Sequence, residues 1–219
     1  LGFPLLEKAG VEADDIIATL ATAGRDRGDE MLIVTGDRDS YQLVRDPHVR
    51  VLYNKRGVSD YSLYDEAGIQ EKTGVTPELY PQYAALRGDP SDNLPGVPGV
   101  GEKTAAKLIT QYGGLDGIFA NTDQQTPKLR DNLAANEERA RKNFELMLLR
   151  HDAPIDTVDF DALEIAPKPA EVKRLFEFLE FRTLGDRLAE ALGSTSGIEP
   201  STPRDELHAE VTTIESAAE

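Results

Sequence analysis

Seven carboxylates of this 219-residue chain fall into three short segments, each spaced as a metal-binding or catalytic group could be. The first holds Glu12, Asp14 and Asp15, the second Asp37 and Asp39, and the third Asp89 and Asp92. Ligand sets made only of oxygen suit hard divalent cations such as Mg²⁺ or Mn²⁺. Each segment also has a plain structural reading. Acids at a helix start satisfy free N–H groups and the macrodipole. Glu12 and Asp14 would point about 200° apart in a regular helix, so they can share a site only if Glu12 precedes the helix and Asp14 and Asp15 open it. Asp37 and Asp39 follow a β-prone run. On an extended chain, residues two apart project to the same side and can share one ion. They could equally belong to a loop that caps the next helix, or form the Asp-x-Asp nucleophile pair of a phosphatase. Asp89 and Asp92, three apart, share one face of a turn or helix, or simply build an Asp-Pro turn.

The stretch after Asp92 is more specific. Val97-Pro-Gly-Val-Gly101 reads as a hairpin opening the helix Glu102–Ile109. Gly99 and Gly101 allow a tight turn and a close approach of backbone to ligand. The helix start then presents free N–H groups and the positive end of its dipole, and Lys103 and Thr104 add a charge and a hydroxyl. A Gly-rich helix start can be purely structural, but the whole pattern reads as a phosphate grip that carries no base information.

These groups must be positioned by two kinds of structure. Ala13 to about Arg27 shows apolar residues at helical spacing. Met31–Thr35 and Val49–Tyr53 read as strands, the first of them buried. Helix, strand, strand implies an α/β layer with a parallel sheet. From about Tyr64 the pattern is helical, over Asp65–Thr73, Pro77–Leu86, Lys103–Tyr112, Glu137–Leu149, Ala170–Phe178 and Leu184–Leu192. Residues 193–219, rich in Ser, Thr, Pro and Glu, read as a flexible acidic linker.

Composition narrows the choices. The chain has no cysteine, which excludes disulfides, thiolate-bound zinc and thiol catalysis. No apolar run reaches membrane-spanning length, so a soluble, intracellular protein is expected. The formal charge of −16 opposes nucleic-acid binding at first sight. Much of it resides in the tail and in the seven carboxylates, where bound cations would offset it. Three scattered histidines offer no metal-ligand spacing.

Taken together, Glu12-Ala-Asp-Asp, Thr35-Gly-Asp-Arg-Asp-Ser-Tyr-Gln-Leu and the run from Gly88 to Ala105 resemble the 5′-nuclease (5′-3′ exonuclease) family of bacterial DNA polymerase I, within the flap-endonuclease superfamily. The resemblance runs from about Gly10 to Leu192. It implies the C-terminal part of a PIN-like α/β nuclease core over residues 1–85. A helix-three-turn-helix (helix-hairpin-helix) subdomain over 86–192 and a tether toward a polymerase domain over 193–219 would follow. It implies metal-dependent cleavage of 5′ flaps and 5′ ends of DNA in replication and repair, by a monomer associated with the bacterial nucleoid. By the same resemblance Glu12 and Asp14, with Asp15 beside them, hold one divalent ion, and Asp37, Asp39, Asp89 and Asp92 hold a second. Carbonyls near Val97 and Val100 would hold K⁺, and Gly99, Gly101, Lys103 and Thr104 would contact DNA. The family's domain begins roughly a hundred residues earlier, with two further aspartate ligands and a basic helical arch. On that expectation the chain is an internal piece, inactive alone. A stand-alone 5′-nuclease and a non-catalytic DNA-binding module are the alternatives.

Overall fold

The structure, a computed structural model, describes residues 2–56, 59–155, 159–166, 168–181 and 183–192. The chain divides into two compact units, one of Glu7–Val158 and one of Leu1–Leu6 with Asp159–Glu219. In the latter, helices Pro169–Phe178 and Leu184–Leu192 form where helical spacing predicts them. The segment expected to be a linker, 193–219, lies outside the described residues.

The larger unit begins with helix α1, Ala13–Arg27, which buries Ile16, Ala18, Ala21 and Gly24 and ends at Gly28 in the left-handed conformation. Strand β1, Met31–Thr35, follows. A Cβ at Gly24 would lie 2.3 Å from the Met31 sulfur, so helix and strand are in close contact. Strands β2, Val49–Arg56, and β3, Asp60–Tyr64, complete a sheet of order β1-β2-β3. β1 and β2 are parallel, as expected, and β3, over residues for which the sequence pattern offered no element, pairs antiparallel to β2. β1 is not the fully buried strand predicted. Ile33 is buried, but Leu32 and Val34 are 56% and 67% exposed. Side chains alternate across a strand, and among the described residues only one face of this sheet is covered; Tyr61 and Leu63 of β3 are likewise exposed.

The helical half follows, in the elements α2 (Glu66–Thr73), α3 (Tyr80–Arg87), α4 (Glu102–Tyr112), α5 (Leu115–Ala120), α6 (Pro127–Ala135) and α7 (Glu137–Met147). α3 is its axis, burying Tyr80, Pro81, Tyr83, Ala84, Ala85 and Leu86. A two-stranded ribbon, β4 (Gly88–Asp89) with β5 (Leu94–Pro95), links α3 to the hairpin and α4. Asn143 of α7 is buried and its amide donates to the carbonyls of Ala85 (3.3 Å) and Pro95 (3.0 Å), tying α7 to α3 and to the ribbon. Helix and sheet halves share one core, in which Tyr41 packs edge-on against Tyr53, Tyr64 and Tyr80 at 5.3–5.6 Å.

Candidate active site

Glu12 is the residue before α1, in extended conformation, and Asp14 and Asp15 lie in its first turn, as the spacing argument requires. Glu12 makes no side-chain cap, so simple capping does not account for it. Asp15 does structural work as well, accepting the Arg150 N–H at 2.9 Å and so tying α1 to the segment after α7.

Asp37 and Asp39 follow β1, but not in the extended form expected. Arg38 is helical and a 3₁₀ turn, Asp39–Leu43, begins at once. The pair is held instead by a hydrogen bond from the Asp39 N–H to Asp37 Oδ1 (2.9 Å), and the Asp37 N–H is in turn held by Thr35 Oγ1 (2.9 Å). The turn leaves Asp37 exposed and Asp39 half-buried.

Asp89 sits on β4 and Asp92 in the turn that joins it to β5. Asp89 Oδ1 accepts the N–H (2.9 Å) and hydroxyl of Ser91, and Oδ2 pairs with Arg87 (3.2 Å). This is the Asp-Pro turn, with the carboxylate left at its edge.

Charge links the three segments. Burial raises the Asp39 carboxyl to about 7, with the negative charges of Asp37, Asp92, Asp89 and Asp14 adding to it. Asp14 is raised by burial, then by Asp37, Glu12, Asp15 and Asp92. Asp92 is raised by burial and by Asp89 and Asp37. At Asp89 burial works against ionisation, but hydrogen bonds from Ser91 and the Arg87 charge outweigh it and lower the carboxyl. Among the described residues, no lysine or arginine pairs with Asp14, Asp37, Asp39 or Asp92. Nor do any three acidic or histidine side chains converge closely enough to hold an ion as they stand. Asp14, Asp37, Asp39 and Asp92, which repel one another, supply oxygen donors of the kind hard divalent metal takes.

The hairpin is as tight as predicted. The Val100 N–H bonds the Val97 carbonyl at 3.0 Å, and both side chains are buried. Gly99 has φ +81°, where a side chain would be strained. Gly101 precedes α4 in extended conformation and offers no side-chain cap. Among the described residues, and apart from Gly101 and its two chain neighbours, no atom lies within 4 Å of where its Cβ would be, which leaves open space at the helix start. Lys103 is exposed and Thr104 half-buried beside it. Asn132 of α6 donates to the Pro98 carbonyl (2.8 Å) and braces the turn. Sequence reasoning missed this brace. It also missed Arg38, Arg87 and Glu102, which converge beside Asp89 from three segments.

An α/β layer with Asp37 and Asp39 after its first strand is joined through the ribbon to a hairpin-and-helix subdomain. Residues 1–74 match the family model for the 5′-3′ exonuclease N-terminal resolvase-like domain, and residues 75–171 match that for its C-terminal SAM fold. The chain belongs to the 5′-3′ exonuclease family. It is 48% identical over 200 residues to DNA polymerase I of Mycobacterium tuberculosis, covering 91% of this chain and 22% of that protein. With DNA polymerase I of Deinococcus radiodurans the identity is 41%, over 84% of this chain and 19% of the relative. The chain thus spans about a fifth of the length of these polymerases. Among solved structures, zinc-bound T5 5′-exonuclease superposes with a TM-score of 0.59 at 27% identity, over 66% of this chain and 52% of that one. The bacteriophage T5 D15 flap endonuclease, in a pseudo-enzyme–product complex with DNA and metal ions, gives 0.58 at 26% identity, over 65% and 51%.

Proposed function

We propose that this chain is the 5′-nuclease region of a DNA polymerase I, hydrolysing phosphodiesters at 5′ flaps and 5′ ends of DNA during replication and repair in the bacterial cytoplasm. The observation that carries this reading is the junction of two machines in one piece of chain. The ribbon bearing Asp89 and Asp92 runs directly into a hairpin whose helix start is open to phosphate. A phosphatase acting on small esters would have no use for that hairpin, and a passive DNA-binding module none for the repelling carboxylates.

In this reading Glu12, Asp14 and Asp15 hold one Mg²⁺ or Mn²⁺, and Asp37, Asp39, Asp89 and Asp92 hold a second. Such ions, when bound, activate a water and stabilise the leaving oxygen. The other roles fall to the chain itself. Burial of Asp39 keeps its carboxylate directed and partly dry. Arg87 restrains Asp89, and the Asp39 N–H restrains Asp37. Gly99, Gly101, Lys103 and Thr104 take up backbone phosphate without reading sequence, with K⁺ at the Val97 and Val100 carbonyls. Residues 1–85 serve as nuclease core and 86–192 as DNA-binding subdomain, in a monomeric polypeptide that also carries the polymerase.

The test is cleavage of a labelled 5′-flap substrate in Mg²⁺ by the native polypeptide that carries this chain. Asp37→Ala should abolish cleavage while flap binding persists. Lys103→Ala should weaken binding evenly across sequences and reduce the salt slope by about one. Cleavage that survives Asp37→Ala, or a Lys103→Ala loss confined to certain sequences, would sink the reading. The 219-residue chain alone should bind flap DNA without cutting it.

A further inference from the structure

Beside Asp89 lies an open cleft of about 400 Å³ between Arg38, Arg87, the Asp89–Ser91 turn and Glu102. Two guanidinium groups face it from different segments, and one carboxylate oxygen lies between them. Glu102 Oε1 is 3.3 Å from Arg38 Nη1 and 3.6 Å from Arg87 Nη1. Glu102 opens α4, where an acid is ordinarily explained by the helix dipole. Here it also bridges two arginines while remaining 64% exposed, and so is easily displaced.

Arg87 is the fixed member. Its Nε donates to the Gly88 carbonyl (3.0 Å), Nη2 to Asp89 (3.2 Å), and its guanidinium stacks 5.5 Å from the Tyr83 ring centre. With only 12% of its side chain exposed, it presents Nη1 to the cleft with little freedom left to lose. Arg38 is more exposed and hydrogen-bonds Tyr53. Behind the three lies a second cavity of about 60 Å³, also walled by Tyr41 and Tyr80. Both phenol hydroxyls are buried without a protein partner among the described residues. Two guanidinium groups converging on one anionic oxygen could equally take an oxygen of a phosphodiester.

We propose that Arg38 and Arg87 form a second phosphate site, distinct from the hairpin, and that Glu102 latches it in the DNA-free chain by standing in for the phosphate. An incoming backbone phosphate displaces Glu102 and takes both guanidinium groups, beside the proposed metal ligand Asp89. This rests on the reading of the chain as a DNA-binding nuclease and adds to it a DNA contact and a built-in competitor.

The test is anisotropy of labelled 5′-flap DNA with the full 219-residue chain, without divalent metal, across a salt series. Glu102→Gln should tighten binding roughly three- to tenfold and steepen the salt slope by about one, as a further phosphate is engaged. Arg38→Ala should weaken binding and cancel the Glu102→Gln gain when the two are combined. Because Arg87 is mostly buried, its arm uses Arg87→Lys, checked by thermal melting; it keeps the charge but loses the fork, and should also shrink the gain. A Glu102→Gln gain that is unchanged in both arginine backgrounds makes Glu102 an ordinary repelling charge and overturns the latch, as does no gain at all. If the unsubstituted chain fails to bind flap DNA, the DNA-binding reading falls and the latch falls with it.

Discussion

Asp39 is half-buried among Asp37, Asp92, Asp89 and Asp14, and its carboxyl titrates near 7. The folded chain therefore binds a proton more tightly at this position than the unfolded chain, whose aspartates titrate near 3.9. Stability from this group is complete below about pH 4 and is lost as pH rises through 7. In metal-free buffer the chain should melt at a higher temperature at pH 5 than at pH 7.5, and Asp39→Asn should flatten the difference. Adding Mg²⁺ should raise the pH 7.5 melting temperature most, because the cation stabilises the ionised form; no shift at millimolar Mg²⁺ would count against the metal reading. The acids themselves were legible, since a shared site required Glu12 before α1 with Asp14 and Asp15 in its first turn, where the structure has them. The 3₁₀ turn at Asp39 was not. Nothing in Thr35–Ser40 distinguishes a strand that continues from one that breaks into a turn over a buried tyrosine cluster. Arg38 and Glu102 meet across 64 residues, a contact that no local pattern can report.

Between the helices, the two-stranded ribbon is held by glycines that face each other. A Cβ on Gly88 would lie 2.2 Å from the Gly96 nitrogen, and one on Gly96 would lie 2.2 Å from the Arg87 carbonyl oxygen. These are backbone clashes that no side-chain rotation relieves. Gly96→Ala should therefore cost more than about 2 kcal/mol in urea unfolding, a penalty of backbone strain rather than of lost contacts. Asn143→Ala should cost about 1–3 kcal/mol, because it leaves the Ala85 and Pro95 carbonyls buried with fewer donors. Helices with a strong apolar period were legible close to their ends, and α1 and α4 are the clearest cases. α5 and α6 were not. α5 has six residues with Gly117 among them, and α6 buries only Leu133, so neither shows a periodic stripe. β3 and the one-sided burial of β1 depend on what does or does not cover the sheet, which a strand's own residues do not specify.

For the molecule as a whole, a charge of −16 coexists with a hairpin proposed to take phosphate, and acid and base meet at the boundary, where Arg87 pairs with Asp89 and with Glu102. Acids gather at Asp14, Asp37, Asp39 and Asp92, while α4 opens with an uncapped start and an exposed Lys103. The fold class, its α/β and helical halves and the hairpin were all expected from three motifs, and the family match agrees with them. The ties that join those halves, Asn143 to α3 and ribbon, and Asn132 to the hairpin, came only from the structure. They have a consequence for where a cut would fall. In the proposed function, the brace of α3, ribbon, hairpin and α4 would hold a hairpin-bound phosphate at one set distance from Asp89 and Asp92. The chain would then act as a calliper, with one jaw on the duplex and the other at the bond to be broken. Short and long flaps on the same duplex should then be cut at the same nucleotide, counted from the duplex and not from the free 5′ end. Mapping the product ends on a sequencing gel reads that count directly, and Asn143→Ala, by loosening the brace, should spread it over neighbouring positions.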